Sequence, residues 1–287
     1  MNKIRLLDKN FAHATSCSNG DLKIYPSFFE WYRGTEEQDI TVFVDSEITK
    51  VPLINSKIKI WMLLEPPTIS PNLYQLAASK PIQDSVDYIL TFNKSLCSLS
   101  DKFIYYPLGG CWIEPKDRQL YKKTKNVSII ASEKNFTEGH QLRHQLIKRY
   151  GNKIDVYGRG YNYIESKLTA LKDYRYTIVI ENCRLSGYFT EKIVDAFVTG
   201  TIPIYYGDPN INNHFNFNGI INLGSFDFIK PLDAILNPSE PFEYSAVYDL
   251  NNSMIVDNFE RAKQFTNTED WLWNNLFKKL CTTTQQT

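Results

Sequence analysis

The sequence predicts an α/β protein of two parallel-sheet domains, on three observations. Short apolar, β-branched runs alternate with stretches of helical periodicity along the chain. Residues 174–209 read as strand, loop, helix, strand, a βαβ unit whose crossover is expected to be right-handed. With 287 residues and 43% hydrophobic content, the chain is long enough for two cores and too apolar for disorder.

Thirty-two basic and thirty-two acidic residues cancel, so no global field favours nucleic acid or an anionic membrane surface. Any phosphate site must be local. The five cysteines form no Cys-x-x-Cys pair, which points away from zinc and from a disulfide framework. The first eighteen residues lack an apolar signal core, and no run approaches eighteen apolar residues, so no membrane span is expected. Aromatics are plentiful at 14%, with 18 Tyr, which suits stacking on sugars and bases.

In chain order, strands are expected at 4–7, 40–44, 58–64, 88–92 and 103–107, with helical stretches at 26–33 and 72–79. In KIWMLLEPPTISPN a buried strand ends at Glu65, followed by Pro66 and Pro67. A carboxylate there sits where α/β sheets place ligands, and the prolines stiffen its loop. A solvent-facing strand end is the plain alternative. Residues 112–126, polar and basic, read as an interdomain linker.

A strand is expected at 126–131 and a helix at 138–150, with Leu142, Leu146 and Ile147 on one face and Arg143 in its early turns. His140 and His144 are four apart on that helix, without the Glu of a metalloprotease motif, and read as solvated. Residues 155–160 read as strand then loop. GRGYNY begins like a dinucleotide fingerprint, but Tyr163 replaces its third glycine, and Gly158 allows close backbone approach.

The stretch from 174 to 209 organises the chain. Thr177 to Ile180 reads as a buried strand, Glu191 to Thr199 as a helix stopped by Gly200, and Ile202 to Tyr206 as a second strand. Between them lie Glu181, Asn182, Tyr188, Thr190, Glu191 and Lys192. A helix start favours an anion, and a Lys in the first turn opposes the helix dipole unless an anion is bound. From the residues alone, the loop reads equally as a solvated Glu-Lys pair. Further elements are a strand at 219–223, helices at 231–236, 244–249 and 269–280, a Thr266 capping box and a frayed tail from Cys281.

The run ENCRLSGYFTEKIVDAFVTGTIPIYYG resembles the signature of glycosyltransferase family ten, the α-1,3/1,4-fucosyltransferases. That signature is Phe-Glu-Asn, a short loop, Tyr-x-Thr-Glu-Lys, a helix and an x-Pro-x-x-x-Gly strand; Ile180 stands in place of the Phe. The resemblance covers roughly 126–215 well. It implies the GT-B fold, two Rossmann-like domains facing across a cleft. Residues 1–115 would bind the acceptor and 126–265 the nucleotide sugar, with a helix and tail at 266–287 packing back on the first domain.

It further implies inverting transfer of L-fucose from GDP-β-L-fucose to a hydroxyl of a glycan acceptor. Glu65 would be general base, while Arg143 (or, later in the helix, Arg149) and Lys192 would neutralise the diphosphate. Asn182 and Glu191 would orient ribose or fucose hydroxyls, and Tyr188 would pack beside the sugar or bond the phosphate. Glu181 and Thr190 complete the donor loop, with Gly158 near guanine and ribose. No Asp-x-Asp occurs, so neither metal nor cofactor is expected. Animal relatives are anchored Golgi proteins; this chain looks like the soluble bacterial type, hence cytoplasmic. The alternatives are another nucleotide sugar, or a silent glycan- or nucleotide-sugar-binding protein; the broken glycine motif disfavours an NAD-dependent oxidoreductase.

Overall fold

The computed structural model describes residues 1–224, 229–236 and 253–284, and every described strand pairing is parallel. The chain divides into two compact units. The first comprises Met1–Gly110, Ser186–Tyr188 and Phe265–Thr287, and the second Cys111–Leu185 and Phe189–Gln264.

The first unit holds β1 (Asn2–Leu7), β2 (Phe29–Tyr32), β3 (Ile40–Val44), β4 (Ile58–Leu63), β5 (Tyr88–Thr91) and β6 (Phe103–Tyr105), in the order β2-β1-β3-β4-β5-β6. Alternation along the strands divides their buried side chains between two faces. Val42, Val44, Ile60, Met62 and Leu90 share one cluster with Leu272, Leu276, Phe277 and Leu280 of the C-terminal helix. Phe43, Trp61, Leu63 and Ile89 share the other with residues of α1 (Pro71–Ala77), α2 (Lys80–Ser85) and α3 (Lys94–Cys97).

Residues 26–33, expected to be helical, contain β2 instead. Phe29 and Trp31 are buried at a spacing of two, each edge-on to Phe277 at 5.2 and 5.9 Å between ring centres. Tertiary packing overrides a short helical pattern here. The C-terminal helix runs over 268–284 through a π-helical turn at Trp273–Phe277. Cys281 is buried in the core, so the tail is not frayed there. The expected Thr266 capping box does not form. Asn267 is the N-cap, and Glu269 is fully buried, accepting the Cys17 N–H, the Ser18 hydroxyl and the Trp31 indole N–H.

The second unit holds β7 (Lys125–Ile130), α4 (Glu138–Tyr150), β8 (Asp155–Tyr157), β9 (Tyr174–Ile180), α5 (Glu191–Phe197), β10 (Ile202–Tyr206), β11 (Ile221–Asn222), α6 (Ile229–Leu236) and α7 (Ser253–Lys263). Its sheet order is β11-β10-β9-β7-β8. Val127, Ile129, Ile178, Ile180 and Ile204 pack with Leu142 and Leu146 of α4. The helix expected at 244–249 lies outside the described residues.

The stretch expected to be a linker is built into this unit. Cys111 and Ile113 are fully buried, and buried Lys123 donates to Leu171 O, Thr199 O and Thr201 Oγ1 at 3.2, 2.7 and 2.8 Å. Burial pushes the Lys123 ammonium down to about 7. A charged string reads as solvated until its acceptors, all distant in sequence, are known.

In both sheets the first strand lies between the second and third, so the order reverses beside it. Ligands of open α/β sheets bind outside the carboxyl ends at such a reversal. The places are β1/β3 in the first unit and β7/β9 in the second. Among the described residues, no helix is long and apolar enough to cross a membrane.

Glu269 ties the start of the C-terminal helix to residues 17 and 18 of the same unit. Glu269→Ala leaves buried donors without an acceptor and is expected to destabilise the protein by roughly 1–3 kcal/mol. A urea-unfolding midpoint equal to wild type would contradict this role.

Candidate functional site

At the reversal in the second unit, α4 begins beside the end of β9. Thr137 caps α4, accepting the His140 N–H at 3.2 Å, while His140 Nδ1 lies 2.7 Å from Thr137 Oγ1 and 3.3 Å from Thr137 N. This is a capping box with His in the place usual for Glu. His140 is therefore buried, not solvated as expected; burial, then the neighbouring Arg143 charge, pushes it down to about 4. His144 is half-buried between Tyr161 OH at 2.8 Å and Lys134 O at 3.0 Å. Among the described residues no three His, Cys, Asp or Glu side chains group to hold a metal.

Gly139 lets the two elements meet. A Cβ there would lie 1.8 Å from Glu181 O, and the Gly139 N–H donates to Asn182 O at 3.1 Å. Arg143 is buried, not superficial. Its Nε and Nη2 donate to Ile180 O at 3.2 and 2.8 Å, and Nη2 to Asn182 Oδ1 at 3.1 Å. The guanidinium thus clamps the carboxyl end of β9. Arg149, the alternative, lies in the last turn and faces Asp233.

The loop after β9 is closed at its base. Glu181 is fully buried; it accepts the Thr190 N–H at 2.9 Å, the Thr190 hydroxyl at 2.9 Å and Lys192 Nζ at 3.2 Å. Thr190 caps α5 and also accepts from Lys192 Nζ at 2.8 Å. Lys192 is accordingly a paired cation rather than a bare one, with Glu191 at 3.6 Å and 28% of its side chain exposed. Its place in the first turn has an internal reason, since a buried carboxylate needs a counter-charge. Glu181 acts inside the loop.

Glu191 faces Lys167 at 3.1 Å. Burial alone would raise its carboxyl, but Lys167 and Lys192 hold it down at about 2. Lys167 also reaches Asp195 at 2.8 Å and lies 4.0 Å from the centre of the Trp112 ring. Asp195 accepts the Trp112 N–H at 2.7 Å. The sequence reading missed Lys167, Asp195 and Trp112. Its available signal was Glu191 and Asp195, like charges four apart on one helix, an arrangement that needs a cation.

Gly158 has φ +114°, and its bare Cα faces Ala131 O, which a Cβ would approach to 2.0 Å. The close approach it permits is to backbone of the same unit. Tyr188 is buried in the first unit, its ring 4.9 Å from that of Phe92. Glu65, in the first unit, is half-buried just beyond β4. Its N–H donates to Asp45 Oδ1 at 3.2 Å, and its C=O accepts from Tyr74 OH at 3.0 Å.

Residues 120–286 match the model of glycosyltransferase family 10 (fucosyltransferase), C-terminal region. An α-(1,3)-fucosyltransferase FucT of Helicobacter pylori is 39% identical over 77 residues, covering 26% of this chain and 16% of that protein. The 4-galactosyl-N-acetylglucosaminide 3-α-L-fucosyltransferase 9 of Mus musculus is 26% identical over 226 residues, covering 75% of this chain and 56% of the relative. The chain thus spans little more than half the length of the second relative and far less of the first. A crystal structure of an α1,3-fucosyltransferase superposes with a TM-score of 0.54 at 16% identity, covering 94% of this chain and 90% of that one. Another, with GDP, gives 0.51 at 18% identity, covering 94% and 91%. The fold is therefore GT-B, as expected.

His140 supplies a pH test of the packing at the start of α4. Its native value of about 4 lies below the usual 6.5, so the unfolded chain binds the proton first as pH falls. The stability it contributes is fully present above pH 6.5 and is lost on the way down to about 4. His140→Gln is expected to flatten that part of the acid loss. Urea unfolding of both proteins at several pH values checks this; parallel stability curves would contradict it.

Proposed function

Because the chain belongs to glycosyltransferase family 10, we propose that it is an inverting α-1,3-fucosyltransferase that moves L-fucose from GDP-β-L-fucose to a hydroxyl of a glycan. The observation that carries this reading is the cationic pair Arg143 and Lys192 at the sheet reversal of the second unit, where the family signature forms a closed loop. The similar solved structures include one with GDP and one with GDP-fucose, which supports this donor.

In the proposed reaction the acceptor oxygen forms its bond to the anomeric carbon as the bond to the diphosphate oxygen breaks. The proton goes to the Glu65 carboxylate and the electron pair leaves with GDP. Lys192 and Arg143 offset the charge that builds on the diphosphate, typically worth a few kcal/mol per well-placed donor. Asn182 and Glu191 orient sugar hydroxyls. The first unit takes the acceptor and the second the donor.

Incubation with a panel of nucleotide sugars, without acceptor, tests the donor: nucleotide release from GDP-fucose alone is expected, and release from a UDP-sugar instead would overturn the assignment. Glu65→Gln keeps shape but removes the base. Transfer is expected to fall by roughly two to four orders of magnitude with GDP affinity unchanged. Near wild-type transfer would remove Glu65 from the mechanism.

We propose that this charge pairing also serves without a metal ion. Activity is then expected to survive a chelator, and complete loss restored by added metal would contradict it.

A further inference from the structure

In the first unit, Asp8 follows β1, Asp45 follows β3, and Glu65 stands just beyond β4, three strands adjacent in the sheet. The three carboxylates have different surroundings. Asp8 is buried in its own turn, accepting the Asn10 and Phe11 N–H groups at 2.8 and 3.1 Å, with Arg33 at 3.8 Å. Asp45 reaches across to the next strand. Its Oδ1 accepts the N–H of Leu64 at 2.8 Å and of Glu65 at 3.2 Å.

The backbone of Asp45 is adapted to this reach. Its φ is +47°, the only positive value at a non-glycine residue among the described ones. That region is costly for residues with a Cβ, and Asp tolerates it better than most. The Asp45 carbonyl accepts the indole N–H of fully buried Trp61 at 3.0 Å, which fixes the turn from below. The Glu65 peptide is thus held by Asp45 on its N–H and by Tyr74 on its C=O. Pro66 and Pro67 stiffen the chain immediately after it.

We propose that Asp45 is a positioning residue for the transfer reaction, fixing the backbone at Glu65 by accepting the N–H groups of Leu64 and Glu65, and acting on the Glu65 carboxylate through charge. The proposal rests on the reading of Glu65 as general base. The charged groups facing Asp45 are Glu65 and Asp8, with Arg33 beyond Asp8; Asn10 Nδ2, at 3.5 Å, is neutral. Burial raises the Asp45 carboxyl to about 7, with Glu65 and Asp8 adding to the rise against the pull of the two N–H groups. Like charges on Asp45 and Glu65 oppose one another, so transfer depends on the charge state of both. An ionised Asp45 makes Glu65 a stronger base.

The test is the pH profile of kcat for fucose transfer with saturating GDP-fucose. Wild type is expected to show a broad acid limb that needs two ionisations. Asp45→Asn keeps an oxygen for both N–H groups but removes the charge. Its acid limb is expected to need one ionisation and to lie at lower pH, with the plateau down about three- to tenfold. Asp45→Ala removes the anchors as well and is expected to lower kcat further, leaving the affinity for GDP unchanged.

A wild-type limb that fits one ionisation overturns the proposal without any variant. So does an Asp45→Asn limb that superimposes on wild type while Glu65→Gln is inactive. Near wild-type transfer by Glu65→Gln instead overturns the reading beneath it, so the two failures are distinguishable.

Discussion

The second unit depends on a buried negative charge. Glu181 has no exposure, and an isolated carboxylate in such a place would be prohibitively unfavourable. Its compensation is local: the Thr190 amide, the Thr190 hydroxyl and the Lys192 ammonium, all within 3.2 Å. Because the partners lie nine and eleven residues ahead, neutralising Glu181 also draws the loop into a ring and sets the start of α5. Residues 182–189 then leave the sheet with both ends fixed.

The same solution recurs elsewhere in the unit. Asp195 is answered by Lys167, and Lys167 in turn by Glu191 and the face of Trp112. The chain from Glu181 through Lys192, Glu191 and Lys167 to Asp195 alternates in sign throughout. Removing one member of such a network leaves a neighbour uncompensated, which is more damaging than replacing a whole pair. The signature's Glu and Lys are therefore as much structural as they are available to a ligand.

Sequence legibility followed the range of the interactions. β3, β10 and α4 match their expected limits, because apolar runs and helical periodicity are local signals. Three adjacent strand ends carry carboxylates, and Glu65 stood out among them because the prolines after it were visible in sequence. The fixed turn of Asp45 depends on Trp61 and on residues 64 and 65, sixteen to twenty positions away. Lys123 and Glu269 misled for the same reason. Lys123 reads as part of a polar linker and Glu269 as part of a capping box, and each is satisfied by groups 48 or more residues distant. Phe29 and Trp31 read as part of a helix because their partner, Phe277, is nearly 250 residues further on.

Gly139 bears on how this protein can change over generations. Glycine alone has no Cβ, so every mutation that alters the residue at position 139 puts a carbon 1.8 Å from Glu181 O as the backbone now stands. All glycine codons share their first two bases, and only third-base changes are silent. Nucleotide drift at this codon is thus confined to one letter as long as α4 and β9 keep their present approach. Loosening that approach would move Arg143 off Ile180 and Asn182 as well. Selection for the cationic clamp is therefore felt at a codon four positions upstream, in a residue that carries no chemistry of its own.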